Sequence, residues 1–264
     1  MSNLKGNRLP VALSIAGFDP SGGAGLVADI KTFTAFGCFA AAAVTSLTYQ
    51  NTTGVFGAEH QTAATLRAQV KPIVDDLNVA AAKTGMLPTA EIVAEVARLF
   101  AEENLPAPVV DPVVVATSGD VLIDDAAFEI LTRELFPLAR VVTPNIPEAE
   151  KLTGLSIQTE ADIRRAAEVI QQLGARAVLV KGGHRHIDAQ ALDILLTENG
   201  IFTEFRTDYI DAGEVHGSGC TLSAALAACL GKGLSLEDAV SAAKKYVTDA
   251  IRNASRIGHG ALPL

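Results

Sequence analysis

Val11-Ala-Leu-Ser-Ile-Ala-Gly-Phe-Asp-Pro-Ser-Gly-Gly-Ala-Gly25 joins a short apolar run to a glycine-rich loop that opens onto a helical pattern. Val11 to Ala16 predicts a strand, and Ala16 to Gly25 the turn from that strand into the first helix. Glycines there permit left-handed dihedrals and let backbone approach a ligand closely. Taken alone, the loop fits a tight strand-to-helix turn as well as a binding loop. The spacing of Gly17, Gly22, Gly23 and Gly25 is neither Gly-x-Gly-x-x-Gly nor the P-loop with its Lys-Ser/Thr ending, so two common nucleotide motifs are excluded.

Outward from this stretch, short apolar runs alternate with helical patterns along the chain. Strands are predicted near Val11 to Ala16, Ala43 to Thr48, Val79 to Thr84, Pro108 to Pro112, Arg140 to Thr143 and Ala177 to Lys181, with helices between them. That alternation is the pattern of a right-handed parallel α/β sheet flanked by helices. Helical spacing is clearest from Ala90 to Glu103, where Ile92, Val93, Val96, Leu99 and Phe100 share a face. From Leu192 to Arg206 the pattern becomes strand, Glu198-Asn-Gly turn, strand, which predicts a hairpin of antiparallel edge strands. Gly219 to Leu230 and Leu236 to Arg256 read as closing helices. A chain of 264 residues with 49% hydrophobic content can bury one substantial core, so a single domain over 1–264 is expected.

Composition narrows the function classes. Apolar segments such as Ala40 to Leu47 fall well short of the roughly 20 residues a membrane-spanning helix needs. Met1 to Arg8 leads into a strand without the pattern of a secretory signal. Cys38, Cys220 and Cys229 cannot all pair with one another, and none stands in a Cys-x-x-Cys motif, which suits a reducing cytoplasm. A net charge of −9 argues against nucleic acid or an anionic membrane as partner. A phosphate ligand would need a local site built from helix-start amides and a divalent cation.

Val215-His-Gly-Ser-Gly-Cys-Thr-Leu-Ser223 supplies such a site in outline. Gly217, Ser218 and Gly219 would set unpaired N–H groups at the start of the alanine-rich helix, where donors and dipole favour an anion. The plainer alternative is an ordinary helix capped by Ser218. Cys220 at that helix end is either a small buried hydrophobe or an activated thiol. Polar residues also mark several strand ends: Asp111-Pro112, Thr143-Pro-Asn145 with Glu148, and Lys181-Gly-Gly-His184. Ligand crevices lie beyond the carboxyl ends of parallel strands, so these loops should converge on one rim, with carboxylates for a cation and a lysine for phosphate. His184 and His186 resemble a metal pair, but without a third ligand nearby they read as solvated loop residues. Tyr49, Phe33 and Phe36 read as core or pocket wall.

Taken together, Gly17 to Gly25 with Ala28-Asp-Ile-Lys-Thr32, Gln50-Asn-Thr-Thr-Gly54, Thr84-Gly-Met-Leu87, Asp111 to Asp120, Thr143-Pro-Asn-Ile-Pro-Glu148, Val180-Lys-Gly-Gly-His184 and His216 to Ser223 closely resemble the hydroxymethylpyrimidine/phosphomethylpyrimidine kinases of thiamin biosynthesis. The resemblance spans nearly the whole chain, in the family's order. It implies a ribokinase-like α/β fold with a mainly parallel sheet, Mg-ATP as phosphoryl donor, two successive phosphorylations of a small aminopyrimidine, and a homodimer. By motif position Gln50 would read the ring edge, its amide offering one donor and one acceptor. Asp29, Gly17, Met86, Val113 and Cys220 would line the ring pocket. Asp111 and Glu148 would take the metal, Asn145 and Lys181 the nucleotide, and the 217–220 amides with Lys181 the transferred phosphoryl group. Sugar kinases of the superfamily carry an aspartate where Cys220 stands, which makes the thiol a candidate base. Phe18, Val114 or Val115, and Ser218 depart from the family's usual small residue, methionine and threonine; Phe18 could narrow the pocket mouth. Pyridoxal kinase is the competing enzyme reading, since its substrate is also a flat heteroaromatic with a hydroxymethyl group, and a non-catalytic pyrimidine-binding regulator is the competing reading of another class.

Overall fold

The computed structural model describes residues 9–114, 123–187 and 190–264, with side chains at all of these except 184–187. Met1 to Arg8, Val115 and the rest of the Asp111 to Asp120 motif beyond Val114 lie outside the described residues, as do the side chains of His184 and His186.

Six strands make the parallel centre of the sheet: β1 (Val11–Phe18), β2 (Phe39–Asn51), β4 (Val79–Thr84), β5 (Val109–Val110), β6 (Val141–Val142) and β7 (Val178–Ile187). With β3 (Gly54–His60), β8 (Gln190–Leu196) and β9 (Phe202–Asp208), the spatial order is β3-β2-β1-β4-β5-β6-β7-β8-β9. The β8–β9 hairpin is the antiparallel edge expected from sequence. A second antiparallel edge was not expected: β3 folds back on β2, pairing Ser46 with His60 and Asn51 with Gly54.

Successive residues of the central strands point to opposite faces, and both faces are covered. Leu13 and Ile15 of β1 join Val110 and Val142 in one core, under α2 (Ala63–Asp76), α3 (Ala90–Glu102), α4 (Asp125–Ile130), α5 (Ile146–Thr153) and α6 (Glu160–Gln172). Ala12, Ala81, Val109 and Val141 face the other way, against α1 (Gly25–Ala35), α7 (Ser218–Gly231) and α8 (Leu236–Asn253). Small residues let that second layer sit close; a Cβ on Gly231 would come within 2.7 Å of the Ala81 methyl. Phe33 is buried in this layer and Phe36 meets Tyr246 edge to face, whereas Tyr49 is exposed on the β2–β3 hairpin and is neither core nor pocket wall. Among the described residues no helix is long and apolar enough to cross a membrane.

Helix starts divide into two kinds. Thr62, Thr89, Asp124, Asn145, Thr159 and Ser235 each accept a hydrogen bond from a backbone N–H of the following turn, as N-cap side chains do. Helices α1 and α7 begin without a side-chain cap, on Ala24 and Gly217. Both starts border the main cavity, as does the capped start of α5 at Asn145.

Candidate active site

The carboxyl ends of the central strands open into a cavity of about 550 Å³. Gly17, Gln50, Met86, Val113, Asp111, Asn145, Glu148, Lys181, Gly217, Ser218, Gly219 and Cys220 all line it. Residues far apart in sequence are thus gathered on one rim, each at a strand end or the helix start beyond it.

Asp29 is the exception. It does not border the cavity but lies fully buried below it, accepting from Lys83 Nζ at 2.8 and 3.0 Å and from Ser14 Oγ at 2.5 Å. Two donors making three contacts fit an acceptor-only carboxylate, although burial pushes this carboxyl upward against the pull of Lys83. Burial works against the charge on Lys83, but Asp29 holds its ammonium above the ordinary lysine range. Asp29 therefore reaches the cavity through Lys83, whose side chain is part of the wall.

The start of α7 depends on glycine. Gly217 has φ 84°, and a Cβ there would lie 1.9 Å from the carbonyl oxygen of Gly23. Gly25 has φ 54°, and a Cβ there would lie 2.3 Å from the carbonyl oxygen of Gly17. Both loops require glycine for dihedral and space together, and they touch through backbone. The helix begins at Ser218 with Gly217 as its N-cap, so the Ser218 hydroxyl does not cap it. The first turn of α7 thus has no side-chain cap, and Gly217 to Cys220 line the cavity.

Beside this cradle, Lys181 Nζ donates to Asp111 Oδ1 at 2.8 Å and would lie 3.1 Å from a Cβ on Gly219. Asp111 also accepts from Ser223 Oγ at 3.1 Å and Thr143 Oγ1 at 3.2 Å. Despite burial, Lys181 and Lys83 hold the Asp111 carboxyl below its usual range. Burial opposes the charge on Lys181 as well, but Asp111 and Glu148 hold its pKa above the usual lysine value. Asn145 and Glu148 form a capping box at the start of α5, and Glu148 also accepts from Val114 N at 3.3 Å. Burial pushes the Glu148 carboxyl upward.

Cys220 lies between these groups. Burial raises its thiol to about 11, against the pull of Lys83. A thiol in that range is neutral at ordinary pH, which disfavours the thiolate-base reading and leaves Cys220 as cavity wall.

Several cavity residues carried no assigned role in the sequence. Asp19, between the two glycine loops, accepts from Ser21 N and Oγ, Gly23 N and Ala24 N. Burial pushes its carboxyl up, but His216 and these donors more than offset that and bring it to about 2. His216 Nε2 lies 3.2 Å from Asp19 Oδ2 and 2.7 Å from the Gln50 amide. At the far end Val247 and Ile251 of α8, Leu222 of α7 and Ala191 of β8 form an apolar slot. Nearby a third lysine–aspartate pair holds: Lys244 Nζ donates to Asp193 Oδ2 at 2.8 Å, and Gly182 N to Oδ1 at 3.0 Å. Lys83, inside the alanine strand Val79 to Thr84, left the one legible trace, since a lysine in a fully buried strand requires an acidic partner.

A mainly parallel sheet with antiparallel edges, and an uncapped glycine-started helix beside a lysine and carboxylates on one cavity, define a small-molecule kinase of ribokinase-like architecture. A family model described as phosphomethylpyrimidine kinase matches residues 19–264. A hydroxymethylpyrimidine/phosphomethylpyrimidine kinase of Rhizobium meliloti (strain 1021) is 46% identical, the match covering 96% of this chain and 96% of that one. Among solved structures, phosphomethylpyrimidine kinase of Clostridium difficile 630 superposes with a TM-score of 0.80 at 40% identity, covering 92% of this chain and 99% of the other. An ADP complex of Bacillus subtilis pyridoxal kinase superposes with a TM-score of 0.88 at 35% identity, covering 97% and 96%. The chain belongs to the phosphomethylpyrimidine kinase family.

Proposed function

We propose that this chain, as one kinase domain over 1–264, transfers phosphoryl from ATP to the hydroxymethyl group of 4-amino-5-hydroxymethyl-2-methylpyrimidine and then to the resulting monophosphate. The observation that carries the proposal is the uncapped start of α7 beside Lys181, an anion site in the same cavity as the side-chain amide of Gln50. Membership of the family supports the substrate.

Phosphoryl transfer asks for positioning and charge neutralisation more than for covalent chemistry. Gln50 holds the ring edge, with Gly17, Met86, Val113 and the Cys220 wall around the ring. The apolar slot of Val247, Ile251, Leu222 and Ala191 takes the nucleotide base, with Asn145 and Lys181 toward its phosphates. The 217–220 amides and Lys181 meet the charge on the transferred group, and Asp111 fixes the direction of the Lys181 ammonium. A loose transition state leaves the acceptor O–H little ionised, so it makes small demands on a base.

Asp111 and Glu148 offer hard oxygens on the cavity wall beside Lys181, which suits Mg²⁺, a cation that keeps several waters and shares its shell with phosphates. Protein donors already engage both carboxylates, and among the described residues no group of three His, Cys, Asp or Glu could hold a metal alone. The fit is therefore to a cation arriving with the triphosphate, which it would help to neutralise. We also propose a cytoplasmic homodimer, supported by the exposed Leu47, Tyr49 and Phe56 of the β2–β3 hairpin; light scattering tests it.

Pyridoxal is the second reading, favoured by the fold match to a pyridoxal kinase. A coupled ATP assay across the pyrimidine, its monophosphate and pyridoxal decides. The expected result is turnover of both pyrimidines at well above the pyridoxal kcat/KM; turnover of pyridoxal alone would overturn the proposal.

A further inference from the structure

Oxygen and nitrogen of a side-chain amide exchange places under a half-turn with no change of shape, so hydrogen-bond partners decide which is which. Around Gln50 those partners form a chain whose far end is Asp19. Every other contact of Asp19 is a donor: Ser21 N at 2.8 Å, Ser21 Oγ at 2.7 Å, Gly23 N at 3.1 Å and Ala24 N at 2.9 Å. The carboxylate is an acceptor on all sides, so the ring nitrogen of His216 that faces it, at 3.2 Å, must carry a hydrogen. The Gln50 amide atom 2.7 Å from that same nitrogen then has to accept, and only the carbonyl oxygen can.

The other end of the amide gives the same answer independently. Thr48 Oγ1 has one hydrogen, and it donates that to the carbonyl oxygen of Phe18 at 2.8 Å. The Gln50 atom 3.3 Å from Thr48 Oγ1, which the structure places as Oε1 with Nε2 toward His216, therefore meets a lone pair, which suits an amide N–H and calls for the half-turn. With oxygen toward His216 and nitrogen toward Thr48, every group in the chain has a complementary partner; with the amide reversed, two contacts set like against like.

We infer that the Asp19–His216 pair is a specificity-determining positioning element that fixes which way round the Gln50 amide meets the substrate ring. This rests on the reading that Gln50 binds the ring. An aminopyrimidine edge offers an amino donor beside a ring-nitrogen acceptor, so an amide held in one sense accepts the ring in one sense. Seating the ring in that sense decides which substituent faces the 217–220 cradle. His216 is suited to the task because strand pairing holds its backbone: β10 (Val215–His216) lies parallel to β11 (Leu262–Pro263), and Leu262 N donates to the Glu214 carbonyl oxygen at 2.8 Å.

The test has two parts. In the unaltered protein, ¹⁵N NMR of His216 should show hydrogen on Nε2; a ring protonated only on Nδ1 would overturn the inference. In steady-state kinetics, His216→Phe should raise the pyrimidine KM about tenfold and leave the ATP KM within about twofold, since an amide free to turn loses a directed polar contact. His216→Gln, whose Nε2 can donate to both partners, should restore the pyrimidine KM to within about threefold of wild type. Adding His216→Phe to Gln50→Leu should cost less than about twofold beyond Gln50→Leu alone, because the coupled groups share one effect. An unchanged pyrimidine KM in His216→Phe, failure of the glutamine rescue, or full additivity in the double variant sinks the positioning role. Wild-type kcat/KM in Gln50→Leu would instead remove the ring-reading role on which it rests.

Discussion

Cys220→Ser tests whether the α7 start needs a base. Burial takes the thiol to about 11, so near neutral pH it is overwhelmingly protonated. An arriving phosphate adds negative charge and reduces the thiolate fraction further. Serine keeps the size and the helix start, so the expected loss in the chemical step is under about tenfold, against about 10² to 10⁴ for removal of a working base. Single-turnover transfer of labelled phosphate to the pyrimidine isolates that step from product release. The pH profile gives an independent check: a thiolate base would make the step rise about tenfold per pH unit up to about 11, whereas a neutral wall residue leaves no such rise. A loss beyond about a hundredfold with unchanged ATP affinity, together with that rising profile in wild type, would refute the wall assignment.

Lys181→Met should raise the ATP KM roughly tenfold or more while pyrimidine binding measured by calorimetry stays near wild type, because Asp111 keeps Ser223 and Thr143 as donors; unchanged ATP kinetics would take Lys181 out of the donor site. Lys83→Met strands the buried Asp29 carboxylate and should cost about 3 to 5 kcal/mol in urea unfolding, with Lys83→Met/Asp29→Asn recovering part of it; equal stability of the single variant and wild type would contradict the pairing. Asp19 has a folded pKa of about 2 against an ordinary 3.8, so its contribution of about 2 kcal/mol is full above about pH 4 and drains as pH falls toward 2. Asp19→Asn should flatten the stability curve across that window, and parallel curves would argue against the assignment.

The parallel centre of the sheet was legible because each strand is a short apolar run ended by a polar or glycine turn, and the ends of α3, α7 and the 192–206 hairpin carried equally plain signals. Strand β3 was not, since Gly54, Gly57, Glu59 and His60 give no apolar alternation and most of its residues are exposed. The two-residue strands β10 and β11 exist only through their mutual pairing, which local sequence cannot express. Most expected site residues do line one cavity, because strand ends and glycine loops mark a rim. Asp29 lies off the cavity because a motif position says nothing of depth: on α1, its carboxylate is engaged by Lys83 of β4 below the floor. The apolar slot proposed for the base was invisible because Val247 and Ile251 look like any apolar positions of an amphipathic helix.

Three lysine–aspartate pairs lie buried at or under the cavity: Lys83 with Asp29, Lys181 with Asp111, and Lys244 with Asp193. Each is a hurdle for a lineage that changes one residue at a time. Losing either partner strands a buried charge at a cost of about 3 to 5 kcal/mol, a large share of the 5 to 15 kcal/mol that separates a typical fold from its unfolded chain. For Lys83–Asp29 and Lys244–Asp193 both partners would have to change in near succession, through a destabilised intermediate, whereas Asp111 keeps Ser223 and Thr143 as donors without Lys181. Met86 and Val113, on the wall of the same cavity, carry no charge to strand. Descendants of this chain are therefore free to explore new acceptors at the mouth of the cavity while its floor stays fixed in pairs.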